Sequence, residues 1–258
     1  VGGMARVAIS RGAEPERLVK DALSLLGLEA RLKPSSSVLV KPNLVRVPRD
    51  SPYARDPGAY ETCPWEGDIV HREIIAATLR VLADMGLRDI TIGEASGGAQ
   101  TPVVYKALQL YELAEEYGVK IVDLNYEDSE RVAVPGEGYM KSVWIPKILR
   151  RMDFLVSIAA LKTWSLTLKN WGIGILPGKY YGWNRAVDSS HGGRLRGIDD
   201  PLPMHERGPR DHVDGQEVAV SRVIADVCAT QRCDLGVVDG LAVLKLSLIH
   251  ISEPTRQA

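Results

Sequence analysis

The chain has 258 residues, 45% hydrophobic and 25% charged, which is enough apolar material for a packed core. A formal net charge of −1 gives no global attraction to nucleic acid or to an anionic membrane. Three cysteines without a CxxC pair speak against a disulfide framework and against a complete iron–sulfur or zinc-ribbon site in this chain.

The opening VGGMARVAIS has no basic region leading into an apolar stretch, and no apolar run approaches the roughly 20 residues that span a bilayer. The expected location is the cytoplasm. Residues 6–10 read as a short strand. Residues 15–26 read as a helix, with Pro15 in its first turn and Gly27 at its stop. An apolar strand over 37–40 runs into Lys41-Pro42-Asn43, and a Pro-, Arg- and Asp-rich loop covers 46–68. A helix is predicted over 69–85, a strand over 89–92, a helix over 103–117 and a strand over 119–124. Residues 129–144 read as a hairpin around Pro135-Gly136-Glu137-Gly138. A short helix over 146–152 precedes the uncharged strand FLVSIAA, which begins at Phe154. The segment 182–215 is polar and rich in Gly, Pro, Arg and Asp. A last helix over 216–230 leads to a last strand over 235–238.

Strands alternating with helices at this spacing predict an α/β fold, a mainly parallel sheet with helices on both faces in a three-layer sandwich. The tail from Ser247, SLIHISEPTRQA, is read as sequencing-adapter read-through on a truncated gene fragment, so the fold is expected to be incomplete at its C-terminus.

The most informative stretch is LKTWSLTLKNWGIGILPGK, from Leu161 to Lys179. An uncharged strand opens there onto Lys162, Thr163, Lys169 and Asn170, at the edge where open α/β sheets bind ligands. Lysines this close to a core strand need an anion or a rim to solvent. Lys41 and Asn43 follow another apolar strand, and Pro42 stops its ladder. The GEASGG turn from Gly93 to Gly98 is open to two readings, a plain tight turn or amides aimed at an anion. His191, flanked by small residues, is either a proton-transfer group or a surface histidine. HERGPRDHVD, from His205, has no known zinc spacing and reads as a solvated loop, so no metal ligands are assigned. Trp164, Trp171 and Trp183 either line a pocket or pack loops onto the sheet.

KPNLV from Lys41, HREII from His71, IGE from Ile92, DLN from Asp123, IPK from Ile145, the LKT…LKN…G core from Leu161, LPGK and the late VVDG occur in an order that resembles a conserved family, domain of unknown function 362. The resemblance implies a single α/β domain of this type over residues 4–246, with 247–258 a non-native tail. Members are often described as iron–sulfur-associated, because some carry an appended ferredoxin-like domain. This chain lacks such cysteines, so no iron–sulfur cluster is ligated by this chain alone and the cofactor is unknown. Many members have His after the KT pair, where this chain has Trp164. His191 or His212 matches a later family histidine.

These readings combine into an expectation of a soluble α/β protein that binds a small anionic ligand, an enzyme of redox or isomerase type. Lys41, Asn43, Lys162, Thr163, Lys169 and Asn170 form the cradle. Glu94 or His191 transfers the proton. The alternative is a non-catalytic accessory that docks an iron–sulfur electron-transfer system through a ferredoxin-like partner. Neither nucleic acid nor membrane is expected as a partner.

Overall fold

A computed structural model describes residues 5–63, 67–162, 166–181 and 213–243. Its centre is β1, Ser37–Pro42, an aliphatic run buried on both faces, as befits a strand covered by helices on each side. On one side β1 pairs in parallel with β4 (Asp89–Glu94), which pairs with β5 (Lys120–Asp123). On the other side β1 pairs in parallel with β8 (Phe154–Leu161), which pairs with β9 (Leu235–Val243). The sheet order is therefore β5-β4-β1-β8-β9.

Alternate side chains divide the core in two. Val38, Val40, Ile90, Ile92, Val156 and Ile158 face one layer. That layer contains α1 (Pro15–Leu25), α2 (Arg72–Asp84), α3 (Thr101–Ala107) and α4 (Leu110–Tyr117). Leu39 and Leu155 face the opposite layer. There lie the antiparallel hairpin of β6 (Ser129–Ala133) and β7 (Ser142–Pro146), then α5 (Lys147–Arg151), α6 (Leu166–Gly172) and α8 (Val213–Thr230). A further single turn, α7, spans Gly178–Tyr181. The three-layer α/β architecture expected from the alternation is the one observed.

Three local expectations need correction. Residues 6–10 form no ladder, and Val7 and Ile9 are 83% and 86% exposed. The segment is tied instead to the end of α1, where Arg6 donates to the carbonyls of Leu25 and Leu26. The helix expected over 103–117 is two helices, broken at Gln109 with φ +52°. Leu108 and Leu110 are both buried, and one straight helix cannot turn residues two apart to the same side. The loop over 46–68 contains a short parallel pair, β2 (Val47–Pro48) with β3 (Thr62–Cys63), and a 3-10 turn at Pro52–Arg55.

From β1 the chain proceeds to β4 on one side, and from the neighbouring β8 it proceeds to β9 on the other. Adjacent strands whose connections diverge leave a crevice beyond their carboxyl ends. Lys41, Asn43 and Lys162 lie at that switch point.

Candidate functional site at the carboxyl edge of the sheet

The floor of the crevice is a buried polar cluster. The Lys41 ammonium donates to Glu94 Oε1 at 2.6 Å, to Asn170 Oδ1 at 2.7 Å and to the Pro42 carbonyl at 3.0 Å, which uses all three of its donors. The other Glu94 oxygen accepts from the Leu44 amide at 2.6 Å, and Oε1 also accepts from the Ala95 amide. The Asn170 amide group donates to the Lys41 and Ile158 carbonyls and to the Ser157 hydroxyl. Lys41, Glu94 and Asn170 are 1%, 2% and 5% exposed. Burial pulls the Lys41 ammonium below its ordinary pKa; the Glu94 carboxylate opposes this and Lys162 adds to it. Three residues expected to meet a ligand are thus turned toward one another. Lys41 and Asn170 have their donors occupied by protein, and both oxygens of Glu94, expected as a proton-transfer group, already hold donors.

A second cluster gathers around Asp68. Its carbonyl accepts from Lys162 Nζ at 2.6 Å and from Asn43 Nδ2 at 2.8 Å. Its carboxylate accepts from Arg46 Nη1 at 3.2 Å and lies 3.6 Å from Lys162 Nζ. Arg46 also donates through Nε to Glu61 at 2.7 Å. Burial lowers the Lys162 pKa; Asp68 raises it and Arg46 lowers it further. Burial lowers Lys169 as well, followed by the charge of Lys162, with Asp68 opposing. Cys63, buried beside this group, is pushed up to about 12 by desolvation and by Asp68, so it stays a thiol. Three cations thus face two carboxylates in a partly desolvated setting.

Three amides of the GEASGG turn are taken by protein acceptors. Ala95 N–H binds Glu94, Ser96 N–H binds the Thr101 hydroxyl, and Gly98 N–H binds the Val45 carbonyl. A Cβ at Gly98 would lie 2.7 Å from Arg46 Cγ, so this glycine lets the turn approach the cationic loop closely. The turn fits its plain reading better than an anion nest. Trp171 packs the core, with its indole N–H donated to the Gln231 carbonyl. Thr163, Trp164, Trp183, His191 and the histidines of HERGPRDHVD lie outside the described residues.

Sequence reasoning missed Asp68, Arg46 and a contact between His71 and Asp239. Asp68 and Arg46 sit in a loop rich in both residue types, where spacing singles out neither. His71 and Asp239 fall in the HREII and VVDG motifs, one opening α2 and the other in β9, but only the folded chain brings them together. Asp239 Oδ2 accepts from the His71 amide at 2.8 Å and lies 2.7 Å from His71 Nδ1.

The family model described as "Domain of unknown function (DUF362)" matches residues 38–246, a stretch that carries both polar clusters. The chain belongs to this family. No curated protein and no solved structure matches it. The DUF362 match runs from Val38, the second residue of β1, past the end of β9. No described helix is long and apolar enough to cross a membrane.

Proposed function

We propose that this protein binds a small anionic ligand at the switch point of its sheet, with Lys162 and Lys169 as the ligand-facing cations and Asn43 beside them. The observation that carries this reading is the pair of half-buried lysines whose charges oppose each other. Both ammonium groups are held below their ordinary pKa, by burial and, for Lys169, next by the charge of Lys162. An anion placed between them offsets both the repulsion and the penalty of desolvation. The Lys41–Glu94–Asn170 cluster acts here as a rigid support for the loops that carry Asn43 and α6, rather than as a ligand contact. An enzyme of redox or isomerase type fits a preorganised cationic crevice. Docking of a ferredoxin-like protein would call for exposed cations, whereas the Lys162 side chain is 18% exposed.

Calorimetric titration of hydroxy acids and nucleotides against wild type, Lys162→Met and Lys169→Met tests the reading. A charge-assisted hydrogen bond contributes about 1.5–3 kcal/mol, so each variant should bind roughly tenfold to hundredfold more weakly. Lys162→Arg is not expected to rescue, because a planar fork does not replace a compact ammonium. An anion that binds wild type and the double variant Lys162→Met/Lys169→Met equally would overturn the assignment.

A further inference from the structure

We propose that His71 and Asp239 form a proton-transfer pair serving the ligand held by Lys162 and Lys169, an inference that rests on the anion-site reading above. The Asp239 carboxylate is buried and comes from β9, whereas His71 comes from the start of α2. Asp239 Oδ1 accepts from the Leu241 amide at 3.0 Å, and Oδ2 accepts from the His71 amide, so the carboxylate is fixed from both sides. Its third contact is with His71 Nδ1 at 2.7 Å.

Capping α2 requires only the amide contact, which any residue but proline at position 71 could make. The ring contact is additional and has a chemical consequence. A carboxylate on Nδ1 holds the proton there and leaves Nε2 as the basic nitrogen. No described residue bonds Nε2, and the His71 side chain is 23% exposed against 1% for Asp239. The pair thus has a buried, oriented end and an accessible, reactive end.

Its position matches the anion site. Asp68, which binds Lys162, is three residues before His71, a span of at most about 10 Å. Asp239 is paired in register with Ala160, two residues before Lys162. These placements put the His71–Asp239 pair and Lys162 at the same edge of the sheet, and the inference is that one small ligand meets both. Next to His71, Arg72 Nε is buried without a hydrogen-bond partner among the described residues, a donor that a bound anion would satisfy.

In the step inferred, the Nε2 lone pair takes a proton from a small carboxylate or phosphate ligand. The N–H bond forms as the ligand's bond to hydrogen breaks, and the electron pair stays on the ligand. The Asp239 carboxylate stabilises the resulting imidazolium, and the proton returns to ligand or water in the reverse step. No oxidant or reductant is consumed.

The test uses the full chain. Nitrogen-15 spectra of histidine-labelled protein should show His71 as the Nδ1–H tautomer, and Asp239→Asn should abolish that preference. Carbethoxylation by diethyl pyrocarbonate, mapped by peptide mass spectrometry, should then modify His71 at Nε2. An anion found to bind by calorimetry should slow this reaction, with half-protection at its measured Kd. In Lys169→Met the protection curve should move to roughly tenfold or higher anion concentration. If no anion binds wild type, the site reading itself fails and takes this inference with it. If an anion binds without protecting His71, or His71 resists modification in the free protein, the proton-transfer role alone is overturned. A merely structural role would give the same tautomer but leave the protection curve independent of the lysines.

Discussion

Asp123 ends β5 with a carboxyl group that burial pushes up to about 6, against hydrogen bonds from Asn125 and Thr101 that pull it down. An unfolded Asp titrates near 3.9. Between those values the native state holds this proton and the unfolded state does not, so raising the pH costs stability. The contribution is fully present below about pH 4 and is lost as the pH passes through about 6. Two pKa units correspond to at most about 3 kcal/mol. Asp123→Asn keeps a carbonyl acceptor for Asn125 and Thr101 but has nothing to ionise. Urea unfolding of both proteins from pH 4 to 7 should show wild type losing ground to the variant by up to that amount. A stability difference independent of pH would show that the carboxyl group is not protonated in the native state.

Helix α6 carries Asn170 and Lys169 into the crevice and does so by packing very closely. A Cβ on Gly172 would lie 2.9 Å from the Ile224 backbone. A Cβ on Gly174, just beyond the helix, would meet the Asn170 carbonyl and lie 2.7 Å from Lys41 Nζ. Lys41 cannot retreat, because its ammonium is held by three acceptors. Gly174→Ala should therefore destabilise the protein by roughly 1–3 kcal/mol, as overpacking does. It should also weaken anion binding by displacing α6. Thermal melts and titration on the same sample check this, and unchanged stability would mean that the turn yields freely. The strands and helices around this site were legible from apolar runs and their breakers, and so was the shared edge of Lys41, Glu94 and Lys162. The pairing of Lys41 with Glu94 was not. A lysine after an apolar strand reads the same whether it meets a ligand or a buried glutamate 53 positions away. The break at Gln109 was equally invisible, because no Gly or Pro marks it and tertiary packing of Leu108 and Leu110 imposes it.

Over the whole molecule, the buried cluster is where distant segments meet. Lys41 and Glu94 are 53 residues apart in sequence, and Lys41 and Asn170 are 129 apart. Contacts of such separation form after local helices, because closing long loops costs entropy before any contact offsets it. Removing one partner of a buried pair strands the other charge, so Lys41→Met should cost about 3–5 kcal/mol. If the cluster closes last, that loss falls almost entirely on the unfolding rate, with a φ-value near zero. Stopped-flow folding and unfolding across a denaturant series would show it; a variant that refolds proportionally slower would place the ion pair in the folding nucleus. The cluster would then act as a latch on the time axis. The interval before a native molecule first opens, more than the fraction open at any moment, would be set by three side chains beneath the crevice. Losing them would shorten the life of each molecule under proteolysis that outpaces reclosure.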